Sequence, residues 1–271
     1  MRATLVKLHR YLGLSVALFL VVAGLTGSVL AFQTEIDSWL NPRLFRVKTP
    51  GRELSLSSLV SRIEAVVPGA SVRGITLPNG AHGSLRVSLS ARGEASIAQD
   101  EIFVDGSTGQ VLGGRLWGAA RFDRPHLIPF LYRLHYSLHL PGSWGIWLMG
   151  GVALAWMLDC FVGFYLTLPR GKPFWKKWRP IWKIKRGAGS YRLTLDLHRA
   201  FALWLWGILF LLALTSVAFN LNGQVFRPVL TALLPTSPTI WDKPAPSTLP
   251  RQRVDWDRAA ARATGEAARR G

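Results

Sequence analysis

Three apolar runs of bilayer-crossing length restrict this chain more than any other feature of its sequence. Gly13 to Phe32 contains no charge, Trp144 to Leu168 contains only Asp159, and Ala200 to Leu221 again contains none. About twenty residues at 1.5 Å each cover the ~30 Å hydrocarbon core. Each run therefore reads as a transmembrane helix. The sole cysteine, Cys160, falls within the second run, so no internal disulfide can form.

The formal charge of +18 would suit a nucleic-acid binder, but its placement argues against one. Nine Lys or Arg and no acid lie between Arg170 and Arg192, much of it in "RGKPFWKKWRPIWKIKRG". This segment is the short connection between the second and third runs. The N-terminus adds Arg2, Lys7 and Arg10, also without an acid. Such excesses flank the cytoplasmic ends of spans, and Trp beside Lys suits the headgroup interface. A lipid bilayer is the expected partner, with no nucleic acid.

Both basic flanks give the same topology. The N-terminus is inside, the first run leads out, the second returns, and the third leads out again. The first run exceeds the usual h-region of a signal peptide, so an uncleaved anchor is expected. Residues 1–32 form the cytoplasmic N-terminus and first span. Residues 33–143 lie outside, 144–168 form the second span, 169–199 the basic cytoplasmic loop, and 200–221 the third span. Residues 222–271 are an outer tail.

The outer segment reads as a small α+β module. "LSLSSLVSRIEAVVP" has apolar residues near helical spacing and ends at a proline. "GSLRVSLS" alternates like a half-buried strand. "EIFVDGSTGQVLGG" reads as strand, turn, strand, with Asp105-Gly106 and Thr108-Gly109 at the turn. In the tail, "VDWDRAAARATGEAARRG" is helix-like.

The first and third spans repeat one another. At an offset of 189, Leu8, His9, Arg10, Leu14, Leu20, Leu25 and Thr26 fall on Leu197, His198, Arg199, Leu203, Leu209, Leu214 and Thr215. Leucine matches mean little in apolar sequence, but a His-Arg pair followed by Thr at equal distance does not arise cheaply. By this logic a second outer segment and a fourth helix are expected to follow, beyond residue 271.

His9 and His198 stand at the inner ends of two repeat-related helices. A single histidine there is more often an interfacial anchor. Two at equal depth on facing helices can supply both axial ligands of a haem. Arg10 and Arg199, or the basic loop, would then pair with its propionates. His135 and His139, four apart at the outer start of the second span, share one face if the helix continues, so they cannot clasp one iron from opposite sides. His126, between two prolines, reads as a poorly held loop residue. Asp159 suits a hydrogen bond to a neighbouring helix at least as well as proton transfer. No phosphate loop, nucleophile triad or Rossmann fingerprint is present, so an electron donor would be a separate, unknown partner.

These residues carry a resemblance. "KLHRYLGLSVALFLVVAGLTGSVLAF", "LHYSLHLPGSWG", "FVGFYLTLPRGK" and "LDLHRAFALW" resemble the span motifs of the PepSY-associated transmembrane family, and "EIFVDGSTGQVLGG" resembles the end of a PepSY module. The resemblance implies a mainly α-helical integral membrane protein with four spans, three of them seen here, and a small α+β PepSY-like periplasmic domain. It implies a bacterial inner-membrane location, haem b at one or two sites, and reduction of ferric siderophores such as the ferrioxamine type. His9 and His198 match the inner ligand motifs and His135 the outer one. The family's fourth-helix ligand has no counterpart in this sequence. The alternative expectation is a PepSY-domain binding, envelope-sensing or peptidase-regulating membrane protein without redox activity.

Overall fold

The computed structural model describes residues 1–47, 51–78, 80, 82–237 and 255–270. The chain divides into two units. One is helical and comprises residues 1–28 and 133–237; the other comprises 29–132 together with the segment after 237.

In the helical unit, α1 (Arg2–Leu30) and α6 (Trp144–Thr167) are each long and apolar enough to cross a membrane. Their apolar side chains face outward: Leu14, Leu18, Val21 and Leu25 are exposed along α1. A water-facing helix would hide such a stripe against a core, so the outward face suits lipid. At the N-terminal end of α1, Arg2 donates to the carbonyls of Leu166 at 2.6 Å and Leu168 at 2.9 Å, satisfying acceptors that the end of α6 leaves open.

The third apolar run departs from expectation. It is not one straight span but two helices, α8 (Ser190–Trp204) and α9 (Trp206–Asn220), bent by 69° at Leu205. Each has 15 residues, about 22 Å, short of the ~30 Å hydrocarbon core. The break falls beside Gly207. Trp206 is held there by its indole, which donates to the Cys160 carbonyl at 2.9 Å. The same indole stacks on Phe210 at 5.4 Å between ring centres. Further on, α9 packs against α6 through Ala153, Val217 and Leu221. A Cβ on Gly150 would lie 2.5 Å from Leu221 Cγ, so the close approach requires glycine. The basic loop carries α7 (Phe174–Trp178) and a 3-10 turn over Arg179–Trp182. α10 (Arg227–Leu233) follows α9.

In the second unit, α2 (Gln33–Leu40) and α3 (Pro42–Phe45) precede α4 (Leu56–Val66). Four strands follow as an antiparallel meander in sequential order: β1 (Ala70–Thr76), β2 (Leu85–Ala91), β3 (Glu101–Val104) and β4 (Val111–Arg115). Leu59 and Ile63 of α4 bury against Leu85, Val87, Leu89, Ile102 and Val104. The alternation of β2 and β3 thus points into one apolar layer. The β3–β4 turn is set by Asp105, whose carboxylate accepts from Ser107 N, Ser107 Oγ and Thr108 N. Burial pushes that carboxyl up, but these hydrogen bonds together outweigh it and hold its pKa below the ordinary value. α11 (Trp256–Arg270) joins this unit, with Asp257 accepting from the first backbone N–H groups of α4, Leu56 at 2.7 Å and Ser57 at 3.3 Å.

The other face of the sheet is closed by a buried ion cluster. Arg115 is 1% exposed. It donates from Nε to Glu101 at 2.5 Å and pairs through Nη1 with Asp37 of α2 at 2.8 Å. Its guanidinium lies 5.2 Å from the ring centres of both Phe103 and Trp117. Removing one partner of such a cluster strands charge in low dielectric and costs ~3–5 kcal/mol. Arg115→Ala is therefore expected to open this unit to protease at clearly lower urea than the parent chain. Adding Asp37→Asn and Glu101→Gln should restore part of the resistance. Equal resistance of Arg115→Ala and parent would show the cluster to be dispensable.

Candidate functional site

The helical unit brings two repeat-related histidines together. The imidazole centres of His9 on α1 and His198 on α8 lie 5.9 Å apart, with planes tilted by 56°. Two imidazoles bonded at ~2 Å to opposite sides of one metal ion have ring centres about 6 Å apart. His198 is exposed and His9 partly so.

His9 is held from behind. Its Nδ1 lies 2.9 Å from both carboxylate oxygens of Asp159 on α6. The Asp159 side chain is 9% exposed and that of His9 28%. A carboxylate can only accept, so Nδ1 carries the proton and donates it. Nε2 then keeps its lone pair whenever the ring is neutral. This is the arrangement found behind metal-bound imidazoles, where the second nitrogen fixes tautomer and ring orientation. Gly163, one turn beyond Asp159 on α6, makes room for the ring: a Cβ there would lie 3.2 Å from His9 Cε1. Gly13, next to His9 on its own helix, faces open space instead.

The two arginines differ. Arg10 is exposed and lies 5.5 Å from the Tyr11 ring centre. Arg199 donates through Nη2 to Asp196 at 2.7 Å, while its Nε is buried without a hydrogen-bond partner.

His135 on α5 (Arg124–Ser137) has a comparable seat. Its Nδ1 is 3.0 Å from Thr26 Oγ1 on α1. Thr26 sends its one hydroxyl proton back to the Val22 carbonyl at 2.7 Å. It therefore accepts from His135 Nδ1–H, and His135 Nε2 is left with its lone pair. Gly27 lies beneath the ring, where a Cβ would sit 3.1 Å from His135 Cε1. Both histidines thus rest on a glycine of a neighbouring helix, with Nδ1 anchored on that helix. The anchors differ in charge: a carboxylate for His9, a hydroxyl for His135.

The i, i+4 reading of His135 and His139 does not hold. α5 ends at Ser137, and Leu138 and His139 take left-handed φ of 52° and 56°. The chain turns here because α6 begins hard against the end of α5: a Cβ on Gly145 would lie 1.9 Å from the Ser137 carbonyl oxygen. His139 therefore leaves the helix that carries His135. The loop placement of His126 is also corrected. Proline is tolerated in a first helical turn, and His126 sits in the first turn of α5, 6% exposed, with Nδ1 bonded to Asp123. That bond is the leading cause holding the Asp123 carboxyl below its ordinary pKa.

Among the described residues no group of three or more His, Cys, Asp or Glu is gathered to hold a metal ion. The His9–His198 pair offers two imidazoles, not the three or four donors of a zinc site. The hydrogen bond expected of Asp159 to a neighbouring helix is present, to His9 of α1, whereas Gly163 and Asp196 carry structural roles that the sequence did not assign to them. The signal for Asp159 was present, since an acid inside an apolar span is rare and marks a specific partner.

A family model described as the PepSY-associated TM region matches residues 6–269. No curated protein matches the chain.

Proposed function

The chain belongs to the PepSY-associated TM family, and from that premise we propose that it is a haem b electron-transfer protein of the bacterial inner membrane, reducing ferric siderophores on the periplasmic side. The observation that carries this reading is the His9–His198 pair, 5.9 Å apart, with His9 anchored on Asp159. Two imidazoles facing one another, one with its proton fixed on Nδ1 by a carboxylate, are a donor set that would suit haem iron. The residues present fit that group. His9 and His198 would hold the iron, and Arg10 stands at the same helix end for a propionate. Arg199, still carrying one unpaired N–H, stands beside His198.

Bound haem would supply a one-electron couple, and its potential would be set by ligand identity, hydrogen bonding and burial. His135, held by Thr26, marks a position nearer the opposite face. Delivery of an electron to a ferric siderophore lowers the charge on its iron, weakening the grip of hard oxygen ligands and releasing Fe(II). No dinucleotide fingerprint occurs in the sequence, so the donor is a separate partner.

A visible spectrum of the purified chain tests the reading. A Soret band with α and β bands that sharpen on reduction is expected, and ferric siderophore should reoxidise the reduced protein. A colourless protein would sink the redox reading and leave a PepSY-type binding or sensing role.

The proposed orientation has its own test. A reporter active only in the periplasm should work when inserted at Gly93 of the α+β unit and fail at Gly187 of the basic loop. The opposite pattern would reverse the direction of electron delivery.

A further inference from the structure

The basic loop does more than follow the charge rule for cytoplasmic flanks. It folds into a cavity of about 800 Å³ whose wall includes Lys176, Arg179, Lys183, Lys185, Arg192 and Asp196. Asp196 is the only acid on that wall, and it is already committed. It accepts from Arg192 Nε at 3.0 Å, Arg199 Nη2 at 2.7 Å and the Lys185 backbone N–H at 3.3 Å. Lys176, Arg179, Lys183 and the Lys185 ammonium form no ion pair among the described residues.

The cavity is built, not merely collected. An aromatic ladder of Phe174, Trp175, Trp178 and Trp182 runs along the loop with ring centres 5.3 to 5.5 Å apart. Trp178 ties it to the end of the second span, meeting Phe164 at 6.1 Å and donating to Thr167 Oγ1 at 3.4 Å. Trp175 lines the same cavity yet is 72% exposed. Several uncompensated cations held in one concavity repel each other unless a polyanion occupies it. A bare Trp ring beside them, at the end of a membrane helix, is suited to the boundary between headgroup and acyl chain.

We propose that this cavity is a binding site for the phosphate-bearing headgroup of an anionic glycerophospholipid. Lys176, Arg179, Lys183 and Lys185 hold the phosphate oxygens, and Trp175 packs on the glycerol end. The volume is ample for a headgroup with more than one phosphate. Basic pockets at spanning-helix ends recognise lipid headgroups by this chemistry. The proposal does not rest on haem being bound.

The test uses the full chain in detergent, stripped of lipid and retitrated, with retained lipid counted by native mass spectrometry. One variant carries Lys176→Gln, Arg179→Gln, Lys183→Gln and Lys185→Gln. A charge-matched control carries Arg170→Gln, Lys172→Gln, Lys177→Gln and Arg186→Gln, all outside the cavity wall. The parent should retain phosphatidylglycerol or cardiolipin in preference to phosphatidylcholine. The cavity variant should lose at least tenfold in that retention and the control less than threefold. A further variant with Lys176, Lys183 and Lys185 all changed to Arg should retain it, which separates lost charge from lost folding. Equal losses in the cavity variant and the control would reduce the site to a general basic surface and overturn the proposal. Retention unaffected in the cavity variant would overturn it too. Tight binding of inorganic pyrophosphate without lipid preference would reassign the cavity to a soluble phosphate compound.

Discussion

On the proposed function, His9→Ala is expected to abolish haem binding at the His9–His198 pair, and His198→Ala to do the same separately. Each would remove one of the two proposed iron donors, and no neighbouring side chain among the described residues is placed to replace it. In His198→Ala, Asp159 stays engaged with His9; in His9→Ala it offers only a hard carboxylate oxygen in place of an imidazole nitrogen; and Arg10 and Arg199 cannot bind a metal cation. Among the described residues no carboxylate anchors His198 as Asp159 anchors His9, so retaining His198 alone should not rescue binding. Haem per polypeptide, measured after extraction, should fall at least tenfold in either variant. The chain should remain in the membrane, because His9 and His198 lie near the ends of the apolar runs and contribute little to insertion. If both variants keep full haem and an unchanged reduced spectrum, the pair is not the ligand set.

The apolar runs were legible because length and the absence of charge leave few alternatives, and α1 and α6 follow them closely. The α+β module was legible where a local pattern sets local structure. α4 follows its helical spacing, β2 its alternation, and the β3–β4 turn its Asp105-Gly106 and Thr108-Gly109 pairs. β1 escaped notice because "ASVRGIT" does not alternate cleanly, and its pairing with β2 shifts register between Val72 and Gly74. The bend at Leu205 was hidden in an unbroken apolar run without proline, and the contact beside it, from Trp206 to Cys160, is long-range. The departure of His139 from its helix was partly readable from the following Pro141-Gly142. The left-handed turn itself answers to the α5–α6 packing at Gly145. The pairing of His9 with His198 was inferred from the repeat and topology, and the structure brings the two rings together. What spacing could not supply was the side chain behind each ring, which comes from helices distant in sequence.

Those supporting side chains lead to the second large effect. Asp159→Asn keeps the size of the group beside His9 but removes its charge. A carboxylate behind an imidazole raises ligand basicity and stabilises the more positive oxidation state of the iron it serves. Its loss should weaken haem binding by roughly 10–100-fold. It should also move the inner potential upward by about 60 mV or more, which for a one-electron couple equals a tenfold change in the oxidised-to-reduced preference. Thr26 offers His135 only a neutral oxygen, so on the proposed function Thr26→Val should displace a couple held at His135 far less. In that proposal a haem at His9, backed by a carboxylate, would have the lower potential, and one at His135, backed by a hydroxyl, the higher. Electrons would then run downhill from inside to outside, as delivery to a periplasmic ferric siderophore requires. Redox titration of parent and Asp159→Asn, followed at the α band, decides the matter. An unchanged or lowered inner potential in Asp159→Asn would remove the electrostatic basis for that direction, even if His9 and His198 remain the ligands.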